Sequence, residues 1–211
     1  MSDPAELYDA ILTGNAKKAE EVTAAAIEAK VDPNELVQKY MIPAMDEVGS
    51  RFECNEYFVP ELLIAARAMK TALKLLTPHL VESGTQPKGR VVIGTIQGDL
   101  HDIGKNLVAS MLEGGGFNVV DLGVDVSPEK FVEAVQEEEG NSIVALSALL
   151  TTTMTMMKTV VERLQEAGIR DTTKVMIGGA PITQQYADEI GADGYSDNAS
   201  AAVALARKLV E

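Results

Sequence analysis

From residue 90 onward, short runs of aliphatic and β-branched residues alternate with helix-like segments. "RVVIGTI" is followed by a helical pattern over 102–113, "NVVDLG" by 128–138, "SIVALS" by 152–167, "TKVMIGG" by 182–190, and a short "DGYS" by 198–210. This alternation leaves few folds open. The strand runs are apolar without a polar partner at every second position, so they must be covered on both faces. Each pair is separated by a helix long enough for a crossover connection, which makes the strands parallel. Five such repeats predict an α/β domain built on a five-stranded, doubly wound parallel sheet. Ligands of such sheets bind beyond the C-terminal strand ends, where the strand order reverses.

The first part of the chain has a different grammar. "AELYDAILTG" starts behind Ser2 and stops at Gly14, and "NAKKAEEVTAAAIEAK" follows. "DPNE" places Asp32 as N-cap, Pro33 at the first helical position and Glu35 three residues after the cap, the pattern of a capping box. The helix it opens carries Leu36, Tyr40, Ile42, Met45 and Val48 at three- and four-residue steps. "VPELLIAARAMKTALKLL" makes a fourth helix with Leu62, Ala66, Met69, Leu73 and Leu76 along one stripe. Four helices with short connections predict a small antiparallel bundle over residues 1–83. A Gly/Ser/Pro-containing linker over 84–89 and the α/β domain over 90–211 complete the expected organisation.

Composition narrows the function. The formal charge of the 211 residues is −14 and no basic stripe is present, which argues against nucleic acid as a partner. No apolar run approaches the ~20 residues that span a bilayer. The N-terminus "MSDPAELYDA" is polar, and the single cysteine, Cys54, has no internal partner for a disulfide. The expected setting is cytoplasmic, without membrane association.

The chemistry concentrates after the first strand, in "TIQGDLHDIGKNLV" (95–108), where Asp99, His101 and Asp102 crowd a strand-to-helix turn. An aspartate at such a turn can be a plain N-cap, and a loop histidine can be plainly solvated. The turn lacks GxGxxG and GxxxxGK[ST], so dinucleotide or nucleoside triphosphate phosphates are not supported. A phospho-acceptor receiver would want an aspartate after the third strand, which here ends "ALSALLTTT". A metal reading fits Asp99-x-His101 better, since a carboxylate commonly fixes the tautomer of a metal-binding imidazole. One histidine is too few for a protein-built zinc site, which wants about four ligands. A metal met by His101 must therefore arrive with its coordination largely filled, as inside a macrocycle.

"GDLHDIGK" (98–105) resembles the DxHxxG motif of cobalamin-binding domains, in which a histidine replaces the nucleotide base below cobalt. The resemblance extends to an SxL motif, "SAL" at Ser147 to Leu149, with 42 residues (105–146) between it and Gly104. It extends also to a GG pair, Gly178-Gly179, 28 residues (150–177) after Leu149. The segment "MIPAMDEVGSRFECNEYFVPELLIAARAMK" (41–70) resembles the family's helical cap. The chain is thus similar to the stand-alone corrinoid proteins of methyltransferase systems and to the matching segment of cobalamin-dependent methionine synthase.

The resemblance implies a helical-bundle cap followed by a flavodoxin-like, or Rossmann-like, cobalamin-binding domain. It implies His101 as the cobalt ligand, Asp99 accepting the second ring N–H, and Thr153, six residues after Ser147, closing the relay with a hydroxyl. The corrinoid would be bound base-off with His101 on. Gly98, Ile103 and Gly104 fall in the first motif, and Gly104 would let the first helix approach the corrin. Gly178 and Gly179 would open a slot for the displaced nucleotide tail, Ser147 and Thr151 could hydrogen-bond it, and Leu149 could pack on it. Tyr195 and Ser196 would border the tail. Phe58 in "YFVPEL" would face the methyl group, the plain alternative being a bundle-core aromatic.

The implied function is a methyl carrier, a component of a multi-component methyltransferase and not a catalyst alone. Its cobalt would cycle between Co(I) and methyl-Co(III), taking the methyl group from a substrate-specific methyltransferase and giving it to a second methyltransferase with a tetrahydrofolate- or thiol-type acceptor. A reductive activase would be a further partner. Two other classes use the same module: a small subunit of an adenosylcobalamin-dependent mutase, and a cobalamin-sensing regulator. The helical cap argues against the first, and the missing basic segment and absent tryptophan argue against the second.

Overall fold

The structure, a computed structural model, describes residues 4–82, 87–138 and 140–211. Ser2, the expected boundary at residue 83, the linker positions 84–86 and Glu139 lie outside the described residues. The chain divides into two compact units, Met1–Pro87 with Glu113–Gly116 and Lys88–Leu112 with Phe117–Glu211.

In the helical unit, α1 (Ala5–Leu12) and α2 (Ala16–Glu28) are followed by α3 (Pro33–Leu36), a π-helical turn (Val37–Met41), α4 (Ile42–Glu53) and α5 (Val59–Glu82). Asn15 caps α2 by accepting the Lys18 N–H. Asp32 caps α3 by accepting the Asn34 N–H at 3.0 Å, but the expected reciprocal half of the capping box is absent. The Glu35 carboxylate pairs instead with Lys39, one turn on, at 2.7 Å. The single helix expected after Pro33 is also modified. Pro43 has no N–H to offer the carbonyl of Lys39, and its ring would crowd that carbonyl. The backbone widens ahead of it, and the Ile42 N–H reaches back five residues to the Val37 carbonyl. Of the expected apolar face, Leu36, Ile42, Met45 and Val48 are buried, as are Leu7, Ile11, Leu62, Met69 and Leu76 on the other helices. The π-helical turn, however, leaves Tyr40 half-buried and buries Met41 in its stead. The fourth stripe is broader than expected, because Ala65, Ala68 and Ala72 are buried too while Leu73 is only half-buried.

The α/β unit runs β1 (Arg90–Thr95), α6 (Ile103–Gly114), β2 (Asn118–Asp121), α7 (Pro128–Gln136), β3 (Ser142–Ser147), α8 (Met156–Glu166), β4 (Thr173–Gly178), α9 (Gln184–Ile190), β5 (Gly194–Ser196) and α10 (Ala199–Val210). The strands form one parallel sheet in the order β2-β1-β3-β4-β5, the flavodoxin-like order with its switch point between β1 and β3. Val92, Val144, Leu146, Val175 and Ile177 pack on α7, α8 and α9 around Phe131, which is fully buried. Val91, Ile93, Ile143, Ala145 and Met176 point to the other face, that of the buried side chains of α6 and α10. Burial on both faces explains why β1 and β3 do not alternate apolar with polar, whereas β2, at the sheet edge, exposes Asn118 and Asp121 and only half-buries its two valines. No helix among the described residues is long and apolar enough to cross a membrane.

Truncating Phe131 to Ala should empty the centre of the α7–α8–α9 layer. Urea unfolding followed by circular dichroism should show a loss of roughly 3–5 kcal/mol; a loss under about 1 kcal/mol would mean that this layer does not anchor the sheet.

Candidate functional site

The loop after β1 is shaped by its backbone. The Asp99 N–H donates to the Ile96 carbonyl at 3.1 Å, closing a four-residue turn whose third residue, Gly98, has φ +85°. A β-turn with positive φ at that position is a type II turn and selects glycine. The turn aims the Asp99 side chain inward, and α6 begins just beyond it. Asp102 sits at the N-cap position of α6, where its carbonyl accepts the Asn106 N–H at 2.8 Å. Its carboxylate bonds the Asn106 side-chain amide at 3.1 Å in place of a backbone donor.

Asp99 is fully buried, and every oxygen face of its carboxylate is occupied. Oδ1 accepts the His101 ring Nδ1–H at 2.7 Å and the His101 backbone N–H at 3.1 Å. Oδ2 accepts the Leu149 N–H at 2.8 Å, the Leu150 N–H at 3.2 Å and the Thr153 hydroxyl at 3.0 Å. Burial pushes the Asp99 carboxyl up. The Leu149 N–H, the His101 ring and N–H and the Thr153 hydroxyl together outweigh it and hold the group well below the usual carboxylate range. Asp99 is therefore an anion that keeps a proton on His101 Nδ1. Nε2 is the nitrogen left to meet a metal, on a side chain 52 % exposed. The Thr95 hydroxyl, buried at the end of β1, donates to the His101 carbonyl at 2.8 Å and fixes the loop from below.

Thr153 lies in the turn ahead of α8, which starts at Met156 and not at the expected residue 152. The non-helical stretch lets the amides of Leu149 and Leu150 converge on Asp99. The Tyr186 hydroxyl donates to the Met154 carbonyl at 2.8 Å and holds this turn from α9.

The remaining expected residues line the same sheet edge. Thr95, Ser147, Gly178 and Ser196 are register partners across β1, β3, β4 and β5, on one face of the sheet. A Cβ at Gly178 would lie 3.1 Å from the Ser196 carbonyl oxygen, so glycine keeps this row open. Gly179, at φ +132°, has its backbone against that of Ala148: a Cβ there would fall 1.9 Å from the Ala148 carbonyl. Tyr195 is half-buried against the α7–α8–α9 core, and Thr151 is exposed beside Leu149. Leu100, Ile103, Leu149 and Leu150 are all exposed apolar side chains on the loops that carry His101 and its partners. Phe58, on the helical unit, is 60 % exposed and is not a bundle-core aromatic; Val59, Leu63 and Ile64 are exposed with it.

These features suit a corrinoid. Among the described residues no group of three or more His, Cys, Asp or Glu gathers for a metal. His101 is a single oriented donor, the Gly178 row is free of side-chain bulk, and the apolar rim suits a macrocycle. The sequence signals missed Thr95, Tyr186, Lys105 and Asp125. Lys105, four residues after His101, is buried with its ammonium on both oxygens of Asp121 at the end of β2. Asp125 contacts the Gly98–Asp99 backbone. The legible signal for both was acidic residues in "VVDLGVD", where a second loop meets the sheet edge.

Comparison with known proteins agrees. Residues 89–204 match the B12 binding domain family and residues 5–77 match a second B12 binding domain family. The trimethylamine corrinoid protein of Methanosarcina barkeri is 48% identical over 202 residues, covering 95% of this chain and 93% of that one. A cobalamin-binding protein from Desulfitobacterium hafniense DCB-2 has a crystal structure that superposes with TM-score 0.80 at 34% identity, covering all of both chains. The methanol:cobalamin methyltransferase complex MtaBC from Methanosarcina barkeri contributes a chain that matches with TM-score 0.84 at 33% identity, over 97% of this chain and 78% of that one. This chain belongs to the B12 binding domain family and is a cobalamin-binding corrinoid protein of the methyltransferase-system type.

Two glycines should respond oppositely to alanine. Gly179→Ala, against backbone at positive φ, should cost roughly 3–5 kcal/mol. Gly104→Ala, with nothing within 4 Å of the added Cβ, should stay within about 1 kcal/mol of wild type. Thermal melts of the two purified variants check the contrast. Asp99 also predicts a pH dependence. A carboxyl held below its unfolded value, ~3.9, stabilises the fold above that value and loses the contribution as pH falls towards the folded one. Asp99→Asn should thus be less stable than wild type by roughly 2–3 kcal/mol at pH 7, with the gap narrowing below about pH 4. An equal gap in urea titrations at pH 7 and pH 3 would contradict it.

Proposed function

We propose that this corrinoid protein carries a methyl group between two partner enzymes, with His101 Nε2 as the lower ligand of a base-off cobalamin. The observation that carries the ligand assignment is the buried Asp99 anion, which holds His101 Nδ1 at 2.7 Å and presents Nε2 outward. The bound corrinoid supplies the chemistry, a cobalt that accepts a methyl group and releases it again.

The chain's own residues do the rest. Asp99 keeps the imidazole proton on Nδ1 and fixes the orientation of the ring. Thr153, through its hydroxyl on Asp99 Oδ2, extends that relay by one member. Ser147 and Gly178, with Ser196 beside them, are assigned to the nucleotide tail, with Gly179 and Thr151 at its borders; Tyr195, expected there too, turns to the opposite face of the sheet with Ile177. Gly98, Ile103, Gly104 and Leu149 are assigned to the corrin, and the exposed Phe58 to its methyl-bearing face. Residues 84–89 would join a cap (1–83) to the cobalamin-binding domain (90–211).

The partners inferred are a substrate-specific methyltransferase, a second one acting on a tetrahydrofolate- or thiol-type acceptor, and a reductive activase, all cytoplasmic. The identity to a protein named trimethylamine corrinoid protein, and the 43–45% identity to proteins named dimethylamine corrinoid proteins, support a methylamine as the source of the methyl group.

The test is the visible spectrum after reconstitution with hydroxocobalamin and desalting. Wild type should retain a corrin spectrum with imidazole bound. His101→Ala should keep part of the cofactor through the Ser147–Gly178 row and lose the imidazole-bound features. An unchanged spectrum in that variant would overturn the ligand assignment.

A further inference from the structure

The loop between β2 and α7 meets the His101 turn at more points than a plain crossover needs. The Leu122 N–H donates to the Ile93 carbonyl, the Thr95 N–H to Gly123 and the Val126 N–H to Thr95, at 2.8 to 3.0 Å, and Ile96 and Val126 form a parallel bridge. These bonds continue the β1–β2 pairing past the end of β2. Asp125 departs from that pattern. Its backbone is left-handed, with φ +53°, unusual for a residue other than glycine and tolerated best by Asn and Asp. In this conformation its Oδ1 accepts the Gly98 N–H at 2.7 Å and its own N–H donates to the Asp99 carbonyl at 3.0 Å.

Those two bonds grip the Gly98–Asp99 segment at both ends. Together with the Asp99 N–H on Ile96, they fix the backbone from which the buried carboxylate projects. A rotation there would swing Oδ1 away from His101 and Oδ2 away from Leu149, Leu150 and Thr153 at once. Asp125 does not cap α7, whose N-cap is Ser127. Its carboxylate serves the neighbouring loop.

We propose that Asp125 is a positioning residue for the His101 turn, acting through Gly98 and Asp99 to set which nitrogen of His101 carries the proton and how firmly Nε2 is offered. The inference builds on the proposed ligation by His101, but its first readout is independent of cofactor. Asp125→Gly removes the carboxylate while keeping the left-handed backbone available. Asp125→Asn keeps both the backbone preference and a side-chain acceptor.

The experiment records ring nitrogen shifts of the 15N-labelled, cofactor-free chain at neutral pH, where the two histidines, His79 and His101, are separated by a His79→Gln variant. Wild type should show the Nδ1–H form at His101. Asp125→Gly should move the balance roughly three- to tenfold towards the Nε2–H form that free imidazole prefers, and Asp125→Asn should restore it to within about twofold of wild type. After hydroxocobalamin loading, the imidazole-bound fraction should fall and recover in the same order. A wild-type nitrogen pattern in folded Asp125→Gly would overturn the inference. A shifted pattern in Asp125→Gly, alongside cobalt spectra that ignore His101→Ala, would support positioning by Asp125 while overturning the ligand reading.

Discussion

A carboxylate removed from water must recover its hydration from the protein or cease to be charged. At Asp99 the recovery is complete: two backbone amides from the loop after β3, one from its own loop, an imidazole and a threonine hydroxyl surround it. The geometry of the site depends on this. The donors come from segments 50 residues apart in sequence, and they converge only because β1 and β3 are neighbours at the switch point. The same anion that ties the two loops together fixes the imidazole tautomer. Local stability and imidazole orientation are therefore one interaction.

The loops around that anion divide the work by chemistry. The β1 loop supplies the charged pair, on a type II turn that needs glycine at position 98. The β3 loop supplies amides and a hydroxyl, because its helix starts late. The β2 loop contributes no group to the ring itself, but it holds the backbone of the turn. Beyond them, β4 and β5 contribute openness: Gly178 and Gly179 bring backbone close to backbone where any side chain would intrude. A protein that must seat a large, preassembled cofactor has reason to combine one saturated anchor with an adjoining strip free of bulk.

Much of this was legible in the sequence. The continuous apolar strand runs, the crossover helices and the helical first part were readable because burial on two faces and burial on one stripe leave different periodicities. His101, Asp99, Ser147 and the glycine pair were readable because their spacing matched a known pattern. Other features were not. The π-helical turn before Pro43 is a backbone response to one missing N–H, with no change in the apolar pattern to announce it. Glu35 had two partners within reach, and Lys39 one turn away outcompeted the cap. Phe58 gave the same signal whether buried or exposed.

Thr95, Asp125, Tyr186 and Lys105 fall in a further category. Each is an ordinary residue in its own segment and acquires its role from a partner elsewhere: His101, Gly98, Met154 and Asp121 respectively. The sequence by itself determined the element order, the parallel sheet and the identity of the imidazole and its carboxylate, because periodicity and short motifs are local properties of a chain. Only the tertiary structure decided that Asp99 is a fully buried anion with both oxygens saturated, and that a left-handed aspartate from the β2 loop clamps its turn. Hydrogen bonds between loops depend on where the strands place them, and strand order is a property of the whole sheet.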